Sequence, residues 1–313
     1  MTGIPPEGPG SAVEAAPRRN RGARAGMLRA ALLGTSGVVA LALAWEAYKA
    51  LAPAEGVVIA GVTVLPRTTD IAMPHLWEMV ARALEPVTRA PQAPPLWAAT
   101  LQAAALTLGI AAVGWVVGVV VGFAIATLMQ RFRPAQSALL PWVVLSQTVP
   151  LIALAPVVRN WGSQLEFGGF AWQNWMSVAV IASYLAFFPV AVGALAGLGS
   201  PDRAHLDLMR SYGVGWWTSF LRLRLPASVP YLLPALRLAA ANAVVGTVVA
   251  EVSIGLKGGL GRAIVEFAAS ASSDPPKQWA PIGGAVLVGL VAAGAVALIG
   301  VGLRRYRRSE TTA

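Results

Sequence analysis

Long apolar runs constrain this chain more than any other feature. They lie at about 27–51, 96–129, 135–158, 172–198, 229–252 and 280–303. Each approaches or exceeds the roughly 20 mostly apolar residues that a helix needs to cross the hydrocarbon core of a bilayer. The chain is 56% hydrophobic and only 12% charged, about half the roughly 25% charge of a soluble domain. A globular core cannot hide that much apolar surface, whereas a bilayer can. The expected class is an all-α integral membrane protein with six transmembrane helices.

The segments between the runs set the organisation. Residues 1–26 are rich in Pro, Gly, Ala and Arg without apolar periodicity and read as a disordered basic tail. The first transmembrane helix follows at 27–52. Ala52-Pro53-Ala54 resembles a signal-peptidase site, but the run is long for a signal h-region and more spans follow, so an uncleaved span is expected. Residues 53–95 form an extracytoplasmic segment, with an amphipathic interfacial helix at 71–84. A core of five spans occupies 96–303, in which the run at 135–158, the third of the six, is broken by Pro141 and Pro150, and a second basic tail occupies 304–313. With both termini cytoplasmic, sixteen of the 24 Lys and Arg residues fall on the inner side, as the positive-inside rule requires.

The net charge of +10 does not indicate nucleic-acid binding, because the basic residues sit in short clusters between spans, suited to anionic lipid. Cysteine is absent, which excludes disulfides, thiolate metal sites and Cys nucleophiles. His75 and His205 read as ordinary loop residues. No G-x-x-x-x-G-K-[ST] phosphate loop is present. The Gly-rich stretch Gly255-Leu256-Lys257-Gly258-Gly259-Leu260-Gly261 reads as a flexible turn. Gly114, Gly118 and Gly122 form one small-residue ridge and Gly193 and Gly197 another, both read as packing faces between the chain's own helices.

The polar segment at 199–228 carries the most functional information. From Asp207 to Pro226 it reads as helix, glycine break, second helix, proline stop. Gly213 offers the positive φ of a helix C-terminus. Trp216, Trp217, Phe220, Leu223 and Leu225 give the second helix an apolar side, and Pro226 is expected to end it. A two-helix element of this length is not needed to cross a membrane and suits docking of a cytoplasmic partner.

This segment resembles the EAA loop of binding-protein-dependent ABC importer permeases, EAA-x3-G-x9-I-x-LP. Gly213 takes the Gly, Leu223 the Ile, and Leu225-Pro226 the LP; Asp207-Leu208-Met209 stands at the EAA triplet and keeps only the carboxylate. Pro226, Pro230, Pro234 and Arg237, the helix ending at Glu251, and Gly258-Gly259-Leu260-Gly261 are also similar to this family. The resemblance implies a type I permease fold in the bacterial inner membrane, without cofactor or catalytic residue. It implies a second permease copy in a homodimer, two ABC ATPase subunits and an extracytoplasmic substrate-binding protein. The loop would be the coupling element, with Asp207, Leu208, Met209, Gly213, Trp216, Trp217, Leu223, Leu225 and Pro226 meeting the ATPase. The finer likeness is to permeases for nitrate, sulfonate, taurine and pyrimidine or flavin vitamin precursors.

Polar groups inside spans are costly and mark functional candidates. Gln147 and Thr148 beside Pro150, Tyr184, Asn242 and Glu251 are the expected lining of a translocation pathway, with interhelical hydrogen bonding as the structural reading of the same residues. A secondary transporter is the alternative function. It would call for inverted repeats and intramembrane charges, and the sequence displays neither clearly.

Overall fold

Glycine decides which helices of this protein meet. The computed structural model describes residues 21–59 and 61–303, so the expected tails lie outside the described residues at 1–20 and 304–313. After residue 68 the long helices are α3 (Leu96–Arg131), α6 (Asn174–Leu198), α9 (Leu225–Ile254) and α11 (Trp279–Gly302). A Cβ on Gly114 would stand 2.4 Å from the Ala182 Cβ, one on Gly118 2.7 Å from the Ala186 Cβ, and one on Gly122 2.4 Å from the Phe187 carbonyl oxygen. The first ridge is therefore the seat of α6 on α3. The second ridge seats α9 on α6, with Gly193 against Ala235 and Gly197 against Ser228. Between these backbones lie Ala186, Val190, Ala239 and Ala243, all essentially inaccessible. Small residues let helix backbones approach and gain van der Waals contact where lipid supplies no hydrophobic drive.

Among the described residues, four helical stretches are long and apolar enough to cross a membrane: Leu96–Arg131, Asn174–Leu198, Trp216–Ile254 and Pro275–Gly302. A fifth arises if the bent pair Arg133–Thr148 and Leu151–Gly162 is one span. Four or five of the six expected spans are therefore found among the described residues. The helix at the first run, α1 (Arg21–Leu51), is not among them. It starts at Arg21, so residues 21–26, expected in the tail, are helical.

The chain divides into two compact units between Thr68 and Thr69. In the first, the antiparallel hairpin β1 (Val57–Ile59) and β2 (Val62–Leu65) follows α1, and the Thr68 hydroxyl donates to the Ala52 and Pro53 carbonyls at 3.3 Å. In the second, the amphipathic helix is α2 (Leu76–Leu84), shorter than expected at its start. Arg82 pairs with Asp274 at 2.8 Å, and Lys277 donates to the Val87 carbonyl at 2.9 Å, so α2 is strapped to the segment that precedes α11.

The third run is broken at Pro150 into two helices. It comprises α4 (Arg133–Leu145), one 3-10 turn (Ser146–Thr148) and α5 (Leu151–Gly162), bent by 104° across Val149 and Pro150. Pro141 lies inside α4 without breaking it. A short hairpin, β3 (Glu166–Phe167) and β4 (Phe170–Ala171), leads into α6.

Candidate functional site

The loop after α6 begins with α7 (Arg203–Ser211), whose C-terminus is closed by two reversed hydrogen bonds. The Gly213 amide donates to the Arg210 carbonyl at 2.9 Å and the Val214 amide to the Met209 carbonyl at 3.0 Å. This is the Schellman arrangement, which requires a left-handed residue after the cap. Gly213 supplies it with φ of 71°. Nothing lies within 4 Å of where its Cβ would be, so only backbone conformation calls for glycine there.

The second arm differs from its expected form. α8 (Trp216–Ser219) passes through a wide π turn (Phe220–Arg224) directly into α9, and Pro226 stands in the first turn of α9 instead of ending a helix. The physical reason is local. The Leu225 amide donates to the Phe220 carbonyl, five residues back. That widened register makes room for a residue that has no N–H and would crowd the carbonyl four residues before it. The arm and the fifth run therefore form one helical stretch, Trp216–Ile254.

The arm is rooted by Phe220, 5% exposed, which stacks on Trp216 and tilts against Phe123 of α3. The Arg224 guanidinium donates to the Leu198 carbonyl at 2.9 Å. Of the expected docking residues, Leu208 and Trp217 are exposed, and Trp217 reaches 67%. Trp216 is half-buried and lies under the Arg131 guanidinium, 5.2 Å from its ring centre. Met209, Leu223, Leu225 and Pro226 are half-buried, and Asp207 is exposed, 3.3 Å from Arg210. Sequence reasoning missed Tyr212, 78% exposed, and Leu221, 57% exposed. Tyr212 was legible as the aromatic residue preceding the glycine break. Leu221 was hidden by the assumption of an ordinary helical register.

The expected pathway residues separate into two groups. Gln147 and Thr148 lie in the 3-10 turn at the α4–α5 bend, and Tyr184 of α6 donates its hydroxyl to the Ser146 carbonyl. Pro150 has no N–H to offer Ser146 four residues earlier, and the Val149 amide, at 3.5 Å, and the tyrosine hydroxyl donate to that carbonyl instead. The Asn242 side chain of α9 donates to the carbonyl of Leu185, the next residue of α6, at 3.3 Å. These four residues therefore line neighbouring seams along α6.

Glu251 is elsewhere and fully buried. Its carboxylate accepts from the Thr107 hydroxyl and from the Gly261 amide, both at 2.8 Å. Thr107 in turn accepts from the Leu260 amide at 3.0 Å. The first turn of α10 (Leu260–Ala268) is thus fastened to α3 and α9. The Gly-rich stretch, expected to be flexible, is pinned. Gly255 caps α9 with φ of 74°, and a Cβ on Gly259 or Gly261 would strike the Glu251 side chain.

A glycine-packed helical bundle with a bent helix pair at its side, and an apolar-tipped arm continuous with one of its longest helices, fits a membrane transport permease. Residues 118–307 match the model of the binding-protein-dependent transport system inner membrane component family, and the chain belongs to that family. It is similar to the formylaminopyrimidine transport permease protein of Halalkalibacterium halodurans, with 34% identity over 61% of this chain and 71% of the relative. A probable ABC transporter permease protein of Haemophilus influenzae is 33% identical over 51% of this chain and 62% of its own length. A riboflavin transport system permease protein of Chloroflexus aurantiacus is 26% identical over 41% and 44%. The chain is accordingly an integral inner-membrane ABC transporter permease.

Proposed function

We propose that this chain is the membrane subunit of an ATP-driven importer and that residues 203–225 couple it to a separate ATPase. The observation that carries this reading is the arm itself. The Schellman turn at Gly213 fixes the angle between α7 and α8, and Leu208, Tyr212, Trp217 and Leu221 are exposed along the arm. Because α8 runs without interruption into α9, force applied to those side chains is delivered to the bundle. Exposed apolar side chains on a rigid support suit a protein partner.

In this reading the membrane is crossed six times, by α1, α3, the α4–α5 pair, α6, α8–α9 and α11, with both termini cytoplasmic. Two copies form the pathway as a homodimer, two ABC ATPase subunits bind their arms, and an extracytoplasmic binding protein delivers a small nutrient. Gln147, Thr148, Tyr184 and Asn242 line the route beside the α4–α5 bend. Glu251 stays outside the route, since both of its carboxylate oxygens are engaged inside the bundle.

The test is the composition of the purified complex and its dependence on the motor. Mass measurement is expected to give two permease and two ATPase copies, and vesicles holding the permease alone are expected not to accumulate cargo. Accumulation by the permease alone, driven by an ion gradient, would establish a secondary transporter in its place.

A further inference from the structure

Beneath the arm, at the ends of α3, α6 and α7 and the start of α4, lies a cavity of about 680 Å³. Four arginines line it: Arg131 from α3, Arg133 from α4, Arg210 from α7 and Arg224 from the π turn. Negative charge is scarce around it. α3, α4, α6, α8 and the π turn contain no Asp or Glu, and on α7 Asp207 is engaged with Arg210 in an exposed pair. Arg224 spends one guanidinium nitrogen on the Leu198 carbonyl, and Gln130, with its amide oxygen turned inward, accepts from the same group. Arg131 lies over aromatic rings. The Arg133 guanidinium has no hydrogen-bond or ion-pair partner among the described residues. Four like charges around one cavity repel one another and are held together most effectively by an anion that accepts several charge-assisted hydrogen bonds.

The rest of the lining identifies the anion. Leu140, Val192 and Leu195 form an apolar wall on the bundle side, where α3 and α6 end and α4 begins, and the neighbouring Phe132 and Trp142 are exposed. A soluble anion would leave that wall wet. A phosphate carried on a glycerol backbone covers it. We propose that this cavity binds the headgroup of an anionic phospholipid. Two of its arginines belong to the arm and two to the junction of α3 with α4, so the bound phosphate ties the arm to the bundle and makes coupling dependent on anionic lipid.

The experiment is native mass spectrometry of the full-length permease released from mixed micelles with phosphatidylglycerol, phosphatidylcholine or inorganic phosphate. A phosphatidylglycerol adduct is expected in preference to phosphatidylcholine, reduced about fivefold by Arg133→Gln and again by Arg210→Gln, the effect of one basic residue at an anionic headgroup. Arg222→Gln, in the same turn but outside the cavity lining, is expected to leave the preference unchanged. Equal loss with Arg222→Gln would show diffuse attraction and overturn the site. So would retention of inorganic phosphate as strong as that of the lipid, or displacement of the lipid when the ATPase binds, which would give the cavity to the ATPase's carboxylates. Binding is read by mass on the permease, first alone and then with the ATPase added, and no transport is assayed, so the result stands apart from any failure of transport.

Discussion

The α3–α6–α9 bundle and the α7–α8 arm solve opposite problems with the same residue. In the bundle, glycine is needed because another backbone fills the space where a side chain would be: each ridge position from Gly114 to Gly122 would put a Cβ within 2.4 to 2.7 Å of α6. In the arm, Gly213 has empty space around it and is needed for its φ of 71°. A bundle glycine therefore carries the fold and an arm glycine carries an angle. Substitutions in the two regions should break different things.

The largest effect is expected at Gly122. Leucine there would drive its Cβ into the Phe187 carbonyl, a backbone atom that cannot swing away. Overpacking of this kind costs about 1–3 kcal/mol or more, and Gly122→Leu should abolish a monodisperse peak in size-exclusion chromatography. Gly289→Leu, at a helical glycine with nothing within 4 Å of its Cβ, should elute as wild type. If the two behave alike, the ridge does not set the packing.

Glu251→Ala comes next and tests whether that residue belongs with the core. It removes the acceptor of two buried donors, the Thr107 hydroxyl and the Gly261 amide. An unsatisfied buried group costs about 1–3 kcal/mol, so thermal stability should fall, with partial rescue by Glu251→Gln. A normal melting temperature together with lost transport would return Glu251 to the pathway.

In the arm, Trp217→Ala should weaken ATPase binding by about 2 kcal/mol, as expected of an exposed aromatic anchor, without lowering the melting temperature of the isolated permease. Trp216→Ala should lower both, because that ring stacks on Phe220 at the root of the arm. Asp207→Ala should change neither by more than about 0.5 kcal/mol. Its pair with Arg210 is exposed on both sides, and such pairs contribute little. Co-purification and thermal unfolding separate the three.

Much of this contrast was legible in the chain itself. Helix positions followed from apolar length, and Gly213 from its place between two amphipathic segments. The glycine ridges named packing faces, although periodicity alone could not say that α3 would meet α6. The proline rules misled at Pro226, because a widened turn upstream can absorb a residue that an ordinary helix cannot. Similar reasoning placed a break at Pro141, which α4 accommodates, as well as at Pro150, where the chain does turn. Glu251 was expected to line the pathway because a charge in a span is costly. Its partners, Thr107 and Gly261, lie 144 and 10 residues away, and no local pattern announces them.

The central claim is that Gly213 holds the angle through which the ATPase acts on the bundle. A β-branched residue at φ of 71° is strained by roughly 1–2 kcal/mol, and the empty space around the site confines that strain to the arm. The measurement is ATP hydrolysis by the reconstituted complex with and without loaded binding protein, in wild type and Gly213→Val. The account predicts a permease that inserts and melts normally while its stimulated rate falls to the basal rate. Unchanged stimulation, with unchanged co-purification of the ATPase, would contradict it.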